Sequence, residues 1–269
     1  MDIVLIIGYI TSVLIGLSLG LIGGGGSILT VPVLVYIVGI NPVLSTAYSL
    51  FIVGITSMVG SVNFMRKGLV NYRAAMVFAI PSFIAVFLTR MYLVPAIPDP
   101  VFSISGYVVS KDMAIMVFFA LIMLAASFTM IRDKKVDESD CKDCGEPKFN
   151  FPLIAVEGAL VGTLTGIVGA GGGFLIIPAL VLLAKLPMKK AVGTSLLIIA
   201  AKSLIGFLGD VGTQTIDWNF LLIFTALSIV GIFLGGHLSK KISGEKLKKS
   251  FGWFVLLMGI YIMLSELVF

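Results

Sequence analysis

Stretches of about 20 apolar residues return along the whole of this chain, and that recurrence limits its fold more than any other feature. A helix of that length crosses the hydrocarbon core of a bilayer. The first half holds Ile3–Leu21, a short run Ile28–Val38, then Val43–Met65, Ala74–Met91 and Met113–Ile131. The second holds Leu153–Val168, a short run Phe174–Ala184, then Ala191–Leu208, Trp218–Leu238 and Phe251–Val268. None alternates as a barrel strand does, so all are read as helices that close their backbone bonds internally. With 58% hydrophobic and 12% charged residues, a soluble globular class is excluded. The first run lacks a basic flank and a small-residue cleavage site, so it reads as a mature span and not a signal peptide. The two short runs cannot span comfortably and are expected to be half-helices or re-entrant pieces.

The two halves are related. "GLSLGLIGGGGSILTVP" from Gly16 lies over "GTLTGIVGAGGGFLIIP" from Gly162 at a constant shift of 146 residues. Without a gap the same shift pairs Ser49 with Ser195, Ser57 with Ser203 and Gly60 with Gly206. Apolar residues match easily by chance, but glycines, prolines and serines do not, so the pattern predicts an internal duplication. The domains follow as a first membrane repeat over 1–131, a linker over 132–150 and a second membrane repeat over 151–269.

Loop charge orients the halves, because basic residues favour the cytoplasm. The loop with Arg66, Lys67 and Arg73 is expected inside; its counterpart Asp210–Asp217 carries acids and no base, and is expected outside. Lys185, Lys189 and Lys190 in one loop, and Lys240, Lys241, Lys246, Lys248 and Lys249 in another, agree with that assignment. The expected fold is therefore an all-α integral membrane protein of two inverted-topology repeats. Each repeat has a glycine-broken helix, a short half-helix and three further spanning helices. Both termini are expected outside a cytoplasmic membrane, with the 132–150 linker inside. Arg90, near an outer helix end, fits poorly; it reads as an interface anchor, against a guide for anions at the outer mouth, and Asp210 reads as an exposed loop acid.

The breaks point to a site. Inverted pairs of broken helices are how many secondary transporters build a midplane cavity lined by unwound backbone and half-helix N-termini. Glycine lets the chain turn without a Cβ clash and admits a ligand to the backbone. Helix starts near Ser27 and Gly173 would offer free N–H groups to an anion. The candidate substrate-binding residues are Gly23, Gly24, Gly25, Gly26 and Ser27 in the first break, and Gly169, Gly171, Gly172 and Gly173 in the second. The competing reading is close helix packing by small residues. Four adjacent glycines, duplicated and followed by Pro32 and Pro178, favour the break.

"GLIGGGGSILTVPVL" and "GIVGAGGGFLIIPAL", each followed by a helix with a Ser-Leu pair, resemble the two repeats of the TauE/SafE family of sulfite and organosulfonate exporters. The resemblance covers nearly the whole chain. It implies a permease for small sulfur-containing or other organic anions, and fixes the class better than the cargo.

Lys202 lies midway along Ala191–Leu208, where a charge is costly unless it faces a cavity or partner. It reads as a counter-charge to the anion or as half of a structural ion pair. Ser195 stands seven residues before it, on the same helix face. Thr194, Ser195 and Ser49, the repeat mate of Ser195, complete the candidate set. Glu157, one turn into its helix, is a candidate coupling site for a proton or sodium ion, against a plain interfacial carboxylate. Cys141-Lys142-Asp143-Cys144 has the spacing of half a zinc site or a redox pair, expected as free thiols in a reducing cytoplasm, so no metal, cofactor or catalytic residue is assigned. The expected partners are a small anionic substrate, the lipid bilayer and a second copy of the chain in a homodimer; no nucleic acid is expected. An intramembrane enzyme is the alternative class, but the sole histidine, His237, lies at a helix end away from the serines. A carboxylate is the alternative cargo.

Overall fold

Lipid offers the backbone no hydrogen-bond partner, and the apolar runs accordingly close their bonds within helices. The structure, a computed structural model, describes residues 3–24, 26–104, 107–132, 151–168, 172–173, 176–177, 180, 186–212, 214–238 and 244–268. The first half contains α1 (Ile3–Ile22), α2 (Ser27–Pro32, continued by a π turn over Val33–Ile37) and α3 (Pro42–Arg66). It goes on with α4 (Tyr72–Leu88, continued by a π turn over Thr89–Leu93), α5 (Val94–Ala96) and α6 (Lys111–Arg132). The second half contains α7 (Phe151–Val168), α8 (Met188–Leu208), α9 (Trp218–Leu238) and α10 (Gly244–Val268). Of the second short run, Ile176, Ile177 and Leu180 are described and helical, as is Gly173 just before it. Gly25, Gly169, Gly171, Pro178 and the linker with Cys141 and Cys144 lie outside the described residues.

Five helical stretches are long and apolar enough to cross a membrane: Val4–Ile22, Pro42–Arg66, Tyr72–Ala96, Lys189–Leu208 and Trp218–Leu238. The chain is a multi-pass membrane protein. Its outer surface fits lipid: Met76, Ile80, Ile84 and Leu88 form an exposed apolar stripe at four-residue spacing along α4. Its interior is laced with polar groups instead, with Ser45, Thr46, Ser49, Thr56, Ser57 and Ser61 of α3 all buried. Several of these hydroxyls donate to a carbonyl one turn back, as Thr46 does to Val43 (2.7 Å) and Ser61 to Met58 (2.8 Å). Local signals set the helix starts. Asn41 accepts from the Val43 and Leu44 N–H groups ahead of Pro42, and Asn71 accepts from Ala74. One element was not foreseen: between α5 and α6 a hairpin pairs Phe102–Ile104 with Tyr107–Val109, Ser103 opposite Val108.

The chain reverses at the first glycine break. Gly26 packs back against Ile15 and Leu19 of α1, and a methyl built at Gly8 would lie 3.0 Å from Val38. The run after the glycines therefore returns along α1, and Asn41 reaches Asp112 at the start of α6 (2.7 Å). Helices α3 and α8 pack side by side and antiparallel. At one end Thr46, early in α3, and Asp210, just past α8, both bond Arg90. At the other end Phe64, late in α3, lies against Gly193, early in α8.

Helix partners are symmetric between the halves. α1 packs on α9 and α7 on α4; α3 packs on α8; α3 also meets α9 as α8 meets α4; and α6 packs on α10. The correspondence extends to single residues. Gly16 lies against Ser228 of α9, and its counterpart Gly162 against Ser82 of α4, the counterpart of Ser228. Small residues let these backbones approach closely, as membrane helices do where no water drives them together.

Candidate functional site at the helix breaks

The two glycine breaks touch each other at the centre of the molecule. A methyl at Gly24 would stand 2.6 Å from the carbonyl carbon of Gly173, and one at Gly173 would stand 2.8 Å from the Gly24 oxygen. Backbone cannot retreat as a side-chain tip can, so neither position accepts a Cβ. Gly23 (φ 78°) and Gly172 (φ 69°) are left-handed, which lets each break turn. Ser27 donates to the Gly24 carbonyl (2.7 Å), and no side chain caps the start of α2 at Gly26.

Helix α8 serves both breaks. Ser195 donates to the Gly23 carbonyl (3.1 Å) as well as to Val192 (2.8 Å), which fastens the first break. Two turns on, Lys202 is wholly buried, and its Nζ donates to Thr165 Oγ1 of α7 (2.9 Å). The ammonium rests on the second break, where a methyl at Gly172 would meet Nζ at 2.5 Å. Among the described residues no carboxylate stands within ion-pair distance of it. Thr165 spends its own proton on the Val161 carbonyl (2.7 Å), so it offers the lysine a lone pair but no charge.

Several buried hydroxyls have no hydrogen-bond partner among the described residues: Ser49, Thr56 and Ser57 of α3, Ser82 of α4, and Ser203, which follows Lys202 on α8. Leaving such a group unsatisfied costs about 1–3 kcal/mol. Thr56 is the repeat mate of Lys202, and Ser57 of Ser203. A cation with unpaired hydroxyl donors in a water-poor interior is suited to an oxyanion.

Not every expected residue joins this cluster. Thr194 accepts from the Asn71 N–H (2.9 Å) at the start of α4, far along α8 from the lysine. Glu157 is half-buried one turn into α7, where the neighbouring Gly158 packs on Phe78 of α4. His237 is exposed at the end of α9. Thr165 and Thr56 were not singled out. Thr165 stands inside the duplicated "GTLTG" segment, and Thr56 carried a signal as the mate of Lys202. No group of three His, Cys, Asp or Glu able to hold a metal occurs among the described residues.

Two corrections concern the end of the molecule where α4 and α8 finish. Arg90 does not anchor at an interface; it is 1% exposed, with Nε and Nη2 both donating to Asp210 Oδ2 at 2.8 Å and Nη2 also to Thr46 (2.9 Å). Asp210 is accordingly no exposed loop acid but 3% exposed, since the guanidinium draws it inward. Phe51, Phe207 and Trp218 cluster at this end, and Tyr48 accepts from the Asp217 N–H (2.7 Å). At the opposite end a cavity of about 210 Å³ is lined by Asn63, Phe64, Gly236, His237, Gly20 and Gly60.

The family model described as "Sulfite exporter TauE/SafE" matches residues 9–262. A "Probable membrane transporter protein" of Xylella fastidiosa (strain 9a5c) is 31% identical over 252 residues, 93% of this chain and 91% of the relative. The "Probable membrane transporter protein YunE" of Bacillus subtilis (strain 168) is 27% identical over 95% of each chain. No solved structure matches.

Proposed function

The chain belongs to the sulfite exporter TauE/SafE family, and on that premise we propose that it is a secondary transporter moving small oxyanions, sulfite or organosulfonates first, by alternating access. The observation that carries this reading is Lys202: a fully buried ammonium held by one neutral hydroxyl at the second glycine break, on a helix that packs on α3, with unpaired buried hydroxyls on both helices. The anion would bind between the breaks, taking Lys202 as counter-charge and Ser49, Ser57 and Ser203 as hydroxyl donors. Gly24 and Gly173 would let the two halves slide against each other where a side chain would wedge them.

The halves are read as inverted repeats. The antiparallel course of α3 and α8, repeat mates by the shift of 146, supports this. So does the charge distribution: Arg66, Lys67, Arg73, Lys189 and Lys190 gather at the end that bears the cavity, which is therefore read as cytoplasmic. Both termini are then outside, and the cavity lies on the inner side. Glu157 near the cytoplasmic edge is the group we assign to coupling with a proton or sodium ion.

Purified protein in liposomes tests the reading. Uptake of sulfite or methanesulfonate above that of protein-free liposomes is expected. Absence of flux for either anion would overturn the substrate assignment, and flux of small carboxylates alone would move the cargo to that class.

A further inference from the structure

A cavity at one end and a buried ion pair at the other are lined by repeat mates. Leu196 and Ile232 line the cavity beside Gly60, where a methyl would strike Ile232. Their mates Leu50 and Val86 face Gly206, the mate of Gly60, where a methyl would meet them at 3.4 and 3.1 Å. The same cleft thus occurs twice, once at each end. It differs at several positions, two of which carry the ion pair. Gly236 of the cavity, where a side chain would find nothing within 4 Å, corresponds to Arg90, and Phe64 corresponds to Asp210. The duplication left an empty cleft at one end and a buried ion pair at the other.

That ion pair is incomplete as a structural contact. The guanidinium spends Nε and Nη2 on Asp210 and Thr46, while Nη1 is buried with no partner among the described residues. A planar cation with one free edge is made to take a second oxyanion. It sits on a π turn, a backbone irregularity frequent at functional sites, at the end of α4.

We propose that Arg90 is the outer anion-receiving residue of the transporter, latched by Asp210 and Thr46 while the outer cleft is closed and offered to a small oxyanion when that cleft opens. The inference rests on the transporter reading above. In the outward-open state the cleft bounded by Leu50, Val86 and Gly206 would part and expose the guanidinium. The incoming anion would then replace the Asp210 carboxylate on the guanidinium before passing inward to Lys202. The pair would act as latch and receptor in one, with the anion as its key.

The test uses the full-length protein in intact cells, in a Cys141→Ser/Cys144→Ser background with Val86→Cys as reporter and a membrane-impermeant maleimide added outside. Val86 is buried, so labelling should be slow. Asp210→Asn removes the latch and should speed labelling about tenfold or more, and external methanesulfonate should then slow it again. That anion is chosen because sulfite would consume the reagent. In Arg90→Met/Asp210→Asn the cleft should still label fast, but methanesulfonate should no longer protect. The double variant leaves no buried charge unpaired and so stays informative if Asp210→Asn alone fails to accumulate. Labelling as slow in the double variant as in the reporter background would overturn the latch. Protection that survives loss of Arg90, or is absent while Arg90 is present, would overturn the receiving role. Absent flux in liposomes beside the full labelling pattern would sink the substrate reading and leave this one standing.

Discussion

Replacing Lys202 by Met keeps most of the apolar stem and removes the charge, and it separates the two roles a buried lysine can have. At about 4 Å and an effective dielectric near 20, attraction between the ammonium and a bound anion is roughly 4 kcal/mol. Desolvating both ions offsets much of that. The expected loss is about 1–3 kcal/mol, or about five- to 150-fold in dissociation constant. Stability should move the other way or stay level. Lys202 has a neutral hydroxyl for a partner and no carboxylate among the described residues, so its removal relieves a buried charge and does not orphan one. Lys202→Arg should bind with intermediate strength, because Thr165 at 2.9 Å and the Gly172 backbone leave little room for a planar fork. Sulfite titration by calorimetry and a melting curve on the same preparation decide the matter. Unchanged affinity together with a lowered melting temperature would refute the counter-charge and restore a structural lysine.

Gly24→Val and Gly173→Val should each abolish flux while protein still reaches the membrane, since the new Cβ would strike backbone of the opposite break; wild-type flux in either would reduce the glycines to packing. Single cysteines at Asn63 and Asp99, both exposed, should label from the cytoplasm and from outside respectively. Labelling of both from one side would remove the topology. Writing the outer pair into the cavity as Gly236→Arg/Phe64→Asp should block the inner opening and cut liposome flux at least tenfold, and undiminished flux would show that the two clefts are not equivalent.

Length and apolarity were enough to place the helices, because a membrane allows few other structures, and the matched glycines, prolines and serines pointed to a duplication, with which the symmetric helix partners agree. Side-chain direction was harder to read. α8 is apolar around most of its circumference, so periodicity does not say that Thr194 turns to Asn71 while its neighbour Ser195 turns to Gly23. Asp210 read as an exposed acid because its partner Arg90 lies 120 residues earlier in another helix. The repeat itself held the missing signal. Where the halves agree, as at Ser49 and Ser195 or Gly60 and Gly206, they build the shared scaffold of breaks and clefts. Where they part, charge has entered one half alone: Lys202 against Thr56, Arg90 against Gly236, Asp210 against Phe64. A symmetric shell has no preferred ligand sign and no preferred open side. On the reading proposed here the lysine would supply the first at the centre, and the arginine–aspartate pair would supply the second by filling one of two like clefts. In a duplicated membrane protein the charged departures from symmetry are therefore the residues on which to test function first.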